Sequence, residues 1–168
     1  MLNVDSGQID ILTSYNQALA LFWCVLWLKS RFDYKVIKVS DGDTVRLKRF
    51  WHRKPLTFRL AGIDSPEKKQ QGGEAARAAL GRMCPVGSRV KVATKEKGAW
   101  GRDISWIFCG PVNLNDKMVR LGHAWHYAQY SGCQDPADAQ SDARKAKRGL
   151  WAGKNPQPPW EWRKKGKG

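Results

Sequence analysis

Four acids fall in two short segments of an otherwise basic chain: Asp41 and Asp43 in "SDGDT", and Asp64 and Glu67 in "AGIDSPEK". Each segment lies at the end of a predicted strand, so a meander would bring both to one rim. Carboxylate oxygens at this density, with no His or Cys close by, suit Ca²⁺ or Mg²⁺ and not zinc. Such an ion would hold a phosphate against the protein. The same residues also have a purely structural reading, because Asp-Gly-Asp favours a hairpin turn and Asp-Ser-Pro-Glu a helix entry. Spacing alone leaves the two readings level.

The arginines tilt the balance. Arg59 occupies a strand position in "TFRLAGI", where a guanidinium sharing a face with Phe or Leu is costly unless an anion meets it. Arg102 follows Gly101 at the start of another predicted strand. Two planar cations and a metal beside carboxylates make a site for a phosphoryl group that gains negative charge in its transition state. For either arginine alone, a surface salt bridge is the simpler explanation. His123 and His126, taken with Cys109 and Cys133, raise zinc as a rival, but their spacing matches no standard structural zinc site.

Composition points to the same kind of partner. Among 168 residues, 30 Lys and Arg stand against 15 Asp and Glu, for a formal net charge of +15. A sequence pI near 10.0 suits a polyanion, with nucleic acid as the first candidate and an anionic membrane surface as the second. A hydrophobic content of 42% argues against disorder over most of the chain. Nine Trp residues on a basic background suit stacking on single strands, although most of these rings are expected in the core.

The elements that would position the acids follow from periodicity. "YKVIKVS", "TVRLKRF" and "LTFRLAGI" alternate apolar and polar residues and predict a three-stranded antiparallel meander, with Asp-Gly-Asp as its first turn. Strand pattern returns in "SRVKVATKE" and "RDISWIF". "GGEAARAALGRM" predicts one helix, "NLNDKMVRLG" a second with Asn113 as N-cap and Gly122 as its stop, and "DPADAQSDARKAKRGLW" a third opened by Asp135 and closed by Gly149. Five short strands interrupted by three helices predict an α+β protein built on a small closed β-barrel, for which the five-stranded OB-fold is the best-known form. The tail from residue 152 to 168 is rich in Pro, Gly and Lys and has no period, with Trp160 and Trp162 placed to dock back.

The first 33 residues form a separate segment. The apolar run Ala18 to Leu28 is too short to cross a bilayer of ~30 Å but has the length of a signal-peptide core. Asp5 and Asp10 precede it where a basic region is usual, so a short membrane-associating helix and a start codon placed upstream of the true one are the other readings. Export is the expectation. Removal of a leader holding Cys24 would leave Cys84, Cys109 and Cys133, enough for one disulfide at most.

In order and spacing, "DGDTV", "TFRLAGIDSPE", a Gly-Arg step before a strand, "VNLNDKMVRLGHAW" and "ARKAKRGLW" resemble the staphylococcal nuclease (thermonuclease) family over roughly Tyr34 to Trp151. The resemblance implies an OB-fold barrel with three helices and a monomeric Ca²⁺-dependent phosphodiesterase acting on DNA and RNA, with 3′-phosphorylated products. It makes Asp43, Asp64 and the Ser65 backbone carbonyl metal ligands, with Asp41 supporting them. Glu67 becomes the general base, and Arg59 and Arg102 clamp the phosphate. Tyr130 falls where the family places an aromatic ring beside the nucleotide. Where the family often carries a Lys-Tyr pair before the Gly-Arg step, this chain has Ala99 and Trp100, so Trp100 is expected to stack on a base instead of contacting a terminal phosphate. A non-catalytic OB module that holds single strands is the alternative, and the sequence feature that would favour it, loss of Asp43, Asp64, Glu67, Arg59 or Arg102, is not seen.

Overall fold

Alternation along the first strands decides which side chains turn inward. In β1 (Tyr34–Asp41) and β2 (Thr44–Arg49), Val36, Val39, Val45 and Leu47 are buried, while Arg46 and Lys48 between them face out or lie at the edge. β3 (Leu56–Leu60) contributes Phe58 and Leu60 to the same core. The structure, a computed structural model, describes residues 34–49, 52–98, 101–127 and 135–166, all within the compact unit Asp33–Gly168. Trp100, Tyr130, Cys133 and the run from Ala18 to Leu28 lie outside the described residues.

The chain continues through β4 (Ile63–Asp64), α1 (Gly73–Met83), β5 (Arg89–Lys97), β6 (Arg102–Cys109), β7 (Val112–Asn113), α2 (Leu114–Arg120), β8 (Trp125–His126), α3 (Asp135–Lys145), a 3₁₀ turn (Gly149–Ala152) and α4 (Pro159–Lys165). The main sheet runs β3-β2-β1-β5-β6-β7. It closes because β3 also pairs in parallel with β6, placing Arg59 opposite Ile104 and Thr57 opposite Arg102. The result is the expected five-stranded barrel. Register shifts between Val36 and Lys38, between Val39 and Asp41, and between Thr94 and Glu96 supply the local bends that closure of a small barrel needs.

Helix ends follow local chemistry. The Asn113 side chain accepts the backbone N–H of Asn115 at 3.0 Å and of Asp116 at 3.4 Å, as expected of an N-cap. Past its other end, Gly122 adopts a left-handed φ of 73°, while the His123 N–H bonds Met118 O and the Gly122 N–H bonds Val119 O. That pairing is a Schellman stop. α3 ends at Lys145, ahead of the predicted stop at Gly149, because Lys147 already takes a positive φ and the chain restarts from Gly149 as the 3₁₀ turn.

The tail departs furthest from expectation. Residues 159–165 form a fourth helix, seated by buried Pro159 and by Trp160, whose ring meets Trp125 at 6.4 Å and Tyr127 at 5.6 Å between centroids. Pro159 at the first turn, Glu161 beside it and Arg163, Lys164 and Lys165 in the last turn match the asymmetry of a helix.

One buried polar residue cross-links the barrel to α2. Asn115, fully buried, accepts the Ile107 N–H at 3.0 Å and donates to Ala61 O at 2.8 Å and Ser105 O at 3.1 Å. Asn115→Ala is expected to lower stability by about 2 kcal/mol, since the buried Ile107 N–H and Ala61 O lose this partner and Ser105 O, which also accepts the Ala61 N–H at 2.9 Å, loses one of two; urea unfolding followed by tryptophan fluorescence measures it.

Cys84 and Cys109 are free thiols. Burial, and then the neighbouring Cys109, push the Cys84 thiol up to about 12. Its thiolate is therefore scarce at neutral pH. Iodoacetamide at pH 8 is expected to label Cys84 in the folded protein on the order of a hundredfold more slowly than in guanidinium, read by peptide mass spectrometry.

Candidate active site

Close approach of two segments builds the site. Gly42, in the β1–β2 turn, lies so near α1 and the Asp64–Ser65 segment that a Cβ there would come within 2.6 Å of Ala76 Cβ and 2.8 Å of Ser65 Oγ. Only glycine permits this contact. Asp43 is thereby brought against the end of β4, where its Oδ2 accepts the Ser65 N–H at 3.1 Å and its Oδ1 the Thr44 hydroxyl at 2.8 Å. Gly73 plays a similar part at the entrance of α1, since a Cβ at that position would overlap the Glu67 carbonyl oxygen.

Arg59 lies on the opposite face of β3 from the buried Phe58 and Leu60, so it avoids the apolar neighbours that its sequence position suggested. Anions do meet it. Its Nη2 stands 2.9 Å from Asp43 Oδ2 and 2.6 Å from Asp64 Oδ1, and its Nη1 donates to Asp43 Oδ1 at 3.2 Å. Both carboxylates are almost completely buried, at 2% exposure each. Burial pushes the Asp43 carboxyl above the usual range, against the pull of Arg59 and the Ser65 N–H. For Arg59, burial works against the charge, but Asp43 and Asp64 outweigh it and raise its pKa.

Glu67 stands beside this pair on a loop fixed by Gln70, whose Oε1 accepts the Glu67 N–H at 3.1 Å and whose own N–H bonds Glu67 O at 2.8 Å. Asp41 accepts the Gly42 N–H at 2.9 Å. Its carboxyl is pushed up to about 6, chiefly by burial, with Asp43 and Glu67 adding to the effect and the Gly42 N–H and Arg59 opposing it. Arg102, half-buried, opens β6 one strand away from Arg59 and makes no ion pair with a carboxylate of the described residues.

Arg163 reaches the acids from α4, and periodicity gave no hint of it. Its Nη2 donates to Asp64 Oδ2 at 2.6 Å, and its Nη1 to Asp64 Oδ1 at 3.2 Å and Glu67 Oε1 at 2.7 Å. Hydrogen bonding to Asp64 raises the Arg163 pKa, with Glu67 adding to it. Gln70 ties the tail to the same loop by donating from Nε2 to Gln157 O at 2.6 Å. The legible signals were the helix chemistry of "PWEWRKK" and the docking expected of Trp160 and Trp162; nothing in the sequence placed Arg163 on Asp64.

The donor set suits a hard divalent cation in part. Asp43 Oδ2 and Asp64 Oδ1 converge on a single positively charged nitrogen, which is how two ligands of one cation are arranged. Ser65 Oγ is buried beside them without a hydrogen-bond partner among the described residues, although the contact that Ser65 makes with Asp43 is through its N–H. Among the described residues no group of three or more His, Cys, Asp or Glu is arranged to hold a metal, and this covers both the carboxylates and the pair His123 and His126. A cation at Asp43 and Asp64 would therefore draw most of its shell from water and main-chain oxygen.

Comparison with known proteins agrees with this geometry. The profile of the staphylococcal nuclease homologue family matches residues 57–153. A probable staphylococcal-like nuclease of Oryza sativa subsp. japonica is 35% identical over 131 residues, 78% of this chain and 33% of the rice protein. A staphylococcal-like nuclease of Arabidopsis thaliana is 38% identical over 115 residues, 68% of this chain and 35% of that one. An uncharacterised endonuclease of Escherichia coli O157:H7 is 37% identical over 130 residues, 77% of this chain and 83% of the bacterial protein. The chain thus spans about a third of the plant relatives and most of the bacterial one. With the matched region running from the second residue of β3 through the 3₁₀ turn, and so through Arg59, Asp64 and Glu67, the chain belongs to the staphylococcal nuclease homologue family.

Proposed function

We propose that this protein is a Ca²⁺-dependent endonuclease that hydrolyses DNA and RNA to 3′-phosphorylated products. The observation that carries the reading is the convergence of Asp43 and Asp64 on one cationic position, with Glu67 alongside. A divalent ion bound there would neutralise phosphate charge and favour approach of an anionic backbone. Asp43 and Asp64 would hold it with the Ser65 carbonyl, and Asp41 would support them. Glu67 takes the proton of the attacking water as the new P–O bond forms. The P–O5′ bond opposite breaks, the 5′-oxygen takes a proton from solvent water and leaves as a hydroxyl, and the phosphate stays on the 3′ side. Arg59 and Arg102 clamp the non-bridging oxygens as charge accumulates, with Arg102 beside the leaving oxygen. Trp100 and Tyr130 would stack on bases, which suits a site that contacts backbone more than base edges.

The test is incubation of the purified protein with plasmid DNA and with RNA, in Ca²⁺ and in EGTA. Cleavage of both in Ca²⁺ alone is expected. No Ca²⁺-dependent cleavage of either would sink the reading, and retention of single strands without cleavage would favour the binding module. The same reading takes the protein as a monomer exported by the segment before Tyr34, in which case sequencing the amino terminus of the mature protein finds that segment gone.

A further inference from the structure

Both oxygens of Asp64 are engaged by guanidinium groups. Its Oδ1 accepts from Arg59 Nη2 and Arg163 Nη1, and its Oδ2 accepts from Arg163 Nη2. Glu67 Oε1 is bound to the same Arg163 nitrogen. A divalent ion arriving at Asp43 and Asp64 would meet two guanidinium groups already on its ligands, and like charges at hydrogen-bond distance from one oxygen repel strongly where water is scarce. An ion at the point where Arg59 Nη2 now bridges Asp43 and Asp64 shifts that nitrogen, and Arg163, on the other oxygen of Asp64 and on Glu67, must give way as well.

The two arginines differ in their freedom to do so. Arg59 belongs to a barrel strand between fully buried Phe58 and Leu60, and its side chain is 25% exposed and tied to both aspartates. Arg163 is 41% exposed, belongs to a seven-residue helix near the end of the chain, and lines an open groove of about 400 Å³ together with Glu67, Lys68, Lys69, Trp162 and Gly166. The helix itself is held elsewhere, by Trp160 on Trp125 and Tyr127 and by Gln157 on Gln70. Its guanidinium can therefore swing into the groove while α4 stays docked.

We propose that Arg163 is a built-in counter-cation that competes with the divalent ion for Asp64 and Glu67, so that the C-terminal helix sets the metal affinity of the site. This rests on the metal-dependent reading above. In the metal-free protein Arg163 offsets the charge of the two acids. When metal binds it is released into a groove already carrying Lys68 and Lys69, where a nucleic-acid backbone would meet three cations in place of two.

Calcium titration of the full chain by calorimetry, with thermal unfolding in EGTA and in saturating Ca²⁺, tests the competition. Arg163→Gln and Arg163→Ala are expected to bind Ca²⁺ about three- to tenfold more tightly than the unmodified protein, the range expected from losing one partly exposed competing charge. They should also unfold at lower temperature in EGTA but not in saturating Ca²⁺. Arg163→Lys, which keeps the charge, should stay near the original affinity. A folded Arg163→Gln protein with unchanged or weaker Ca²⁺ binding overturns the inference, provided the unmodified protein binds and Asp43→Asn does not. If neither the unmodified protein nor the Arg163 variants bind Ca²⁺, the metal-dependent reading falls and takes this inference with it.

Discussion

Glu67→Gln is expected to lower kcat for both DNA and RNA by about 10²- to 10⁴-fold, the range a positioned general base contributes. The substitution keeps the shape of the side chain and an oxygen that can still accept from Arg163, whose Nη1 lies 2.7 Å from Glu67 Oε1. It removes the ability to take a proton. Because Gln70 fixes the Glu67 loop through backbone contacts at 3.1 and 2.8 Å, the loop has no reason to move when the side chain changes. Stability should change by less than about 1 kcal/mol, since the lost pair is 41% and 37% exposed and screened by water. Nucleic-acid binding in Ca²⁺, measured by fluorescence anisotropy, should stay within about twofold, so the loss lies in turnover and not in the ground state. Single-turnover rates at saturating enzyme measure it, and a rate near that of the unmodified protein would remove Glu67 from the mechanism.

Arg59→Ala is the second large effect, and it falls on stability as well as catalysis. Asp43 and Asp64 are buried at 2% exposure each and share the Arg59 guanidinium at 2.9 and 2.6 Å. Removing one partner of a buried ion pair leaves uncompensated charge behind, at a cost of about 3 to 5 kcal/mol. Asp64 keeps Arg163, whereas Asp43 keeps, among the described residues, the Ser65 N–H and the Thr44 hydroxyl. The double variant Arg59→Ala with Asp43→Asn should therefore recover a substantial part of the loss. Urea unfolding in EGTA reads both. A change of less than about 0.5 kcal/mol in Arg59→Ala, within the range of an ordinary surface substitution, would mean that the two carboxylates are not held as buried charges.

Much of the fold could be read from the chain because its strands are exposed on one side only. Val45 and Leu47 alternate with Arg46 and Lys48, and that period fixes the face without any knowledge of neighbours. The helix of residues 114–120 was equally legible, since Asn113 and Gly122 are local devices that act on their own helix ends. The fourth helix was missed for the opposite reason. A seven-residue helix has little stability of its own, and α4 depends on Trp160 finding Trp125 and Tyr127 more than thirty residues earlier in the chain.

The site divides along the same line. Residue types and spacing by themselves determined that acids and arginines of the right chemistry lie at strand ends, because motif chemistry is written in short segments. They also determined the five-stranded barrel with helices, through period and turn residues alone. Only the tertiary structure decided which charges meet. Arg59 faces Asp43 and Asp64 and not the core, Gly42 allows the turn to press against Ser65, and Arg163 crosses from the far end of the chain to take both oxygens of Asp64. Such contacts depend on barrel closure and on the docking of a helix, and the energy of an ion pair depends on how much water the rest of the fold leaves around it. No stretch of sequence carries that information, because the water is excluded by residues that lie far apart in the chain.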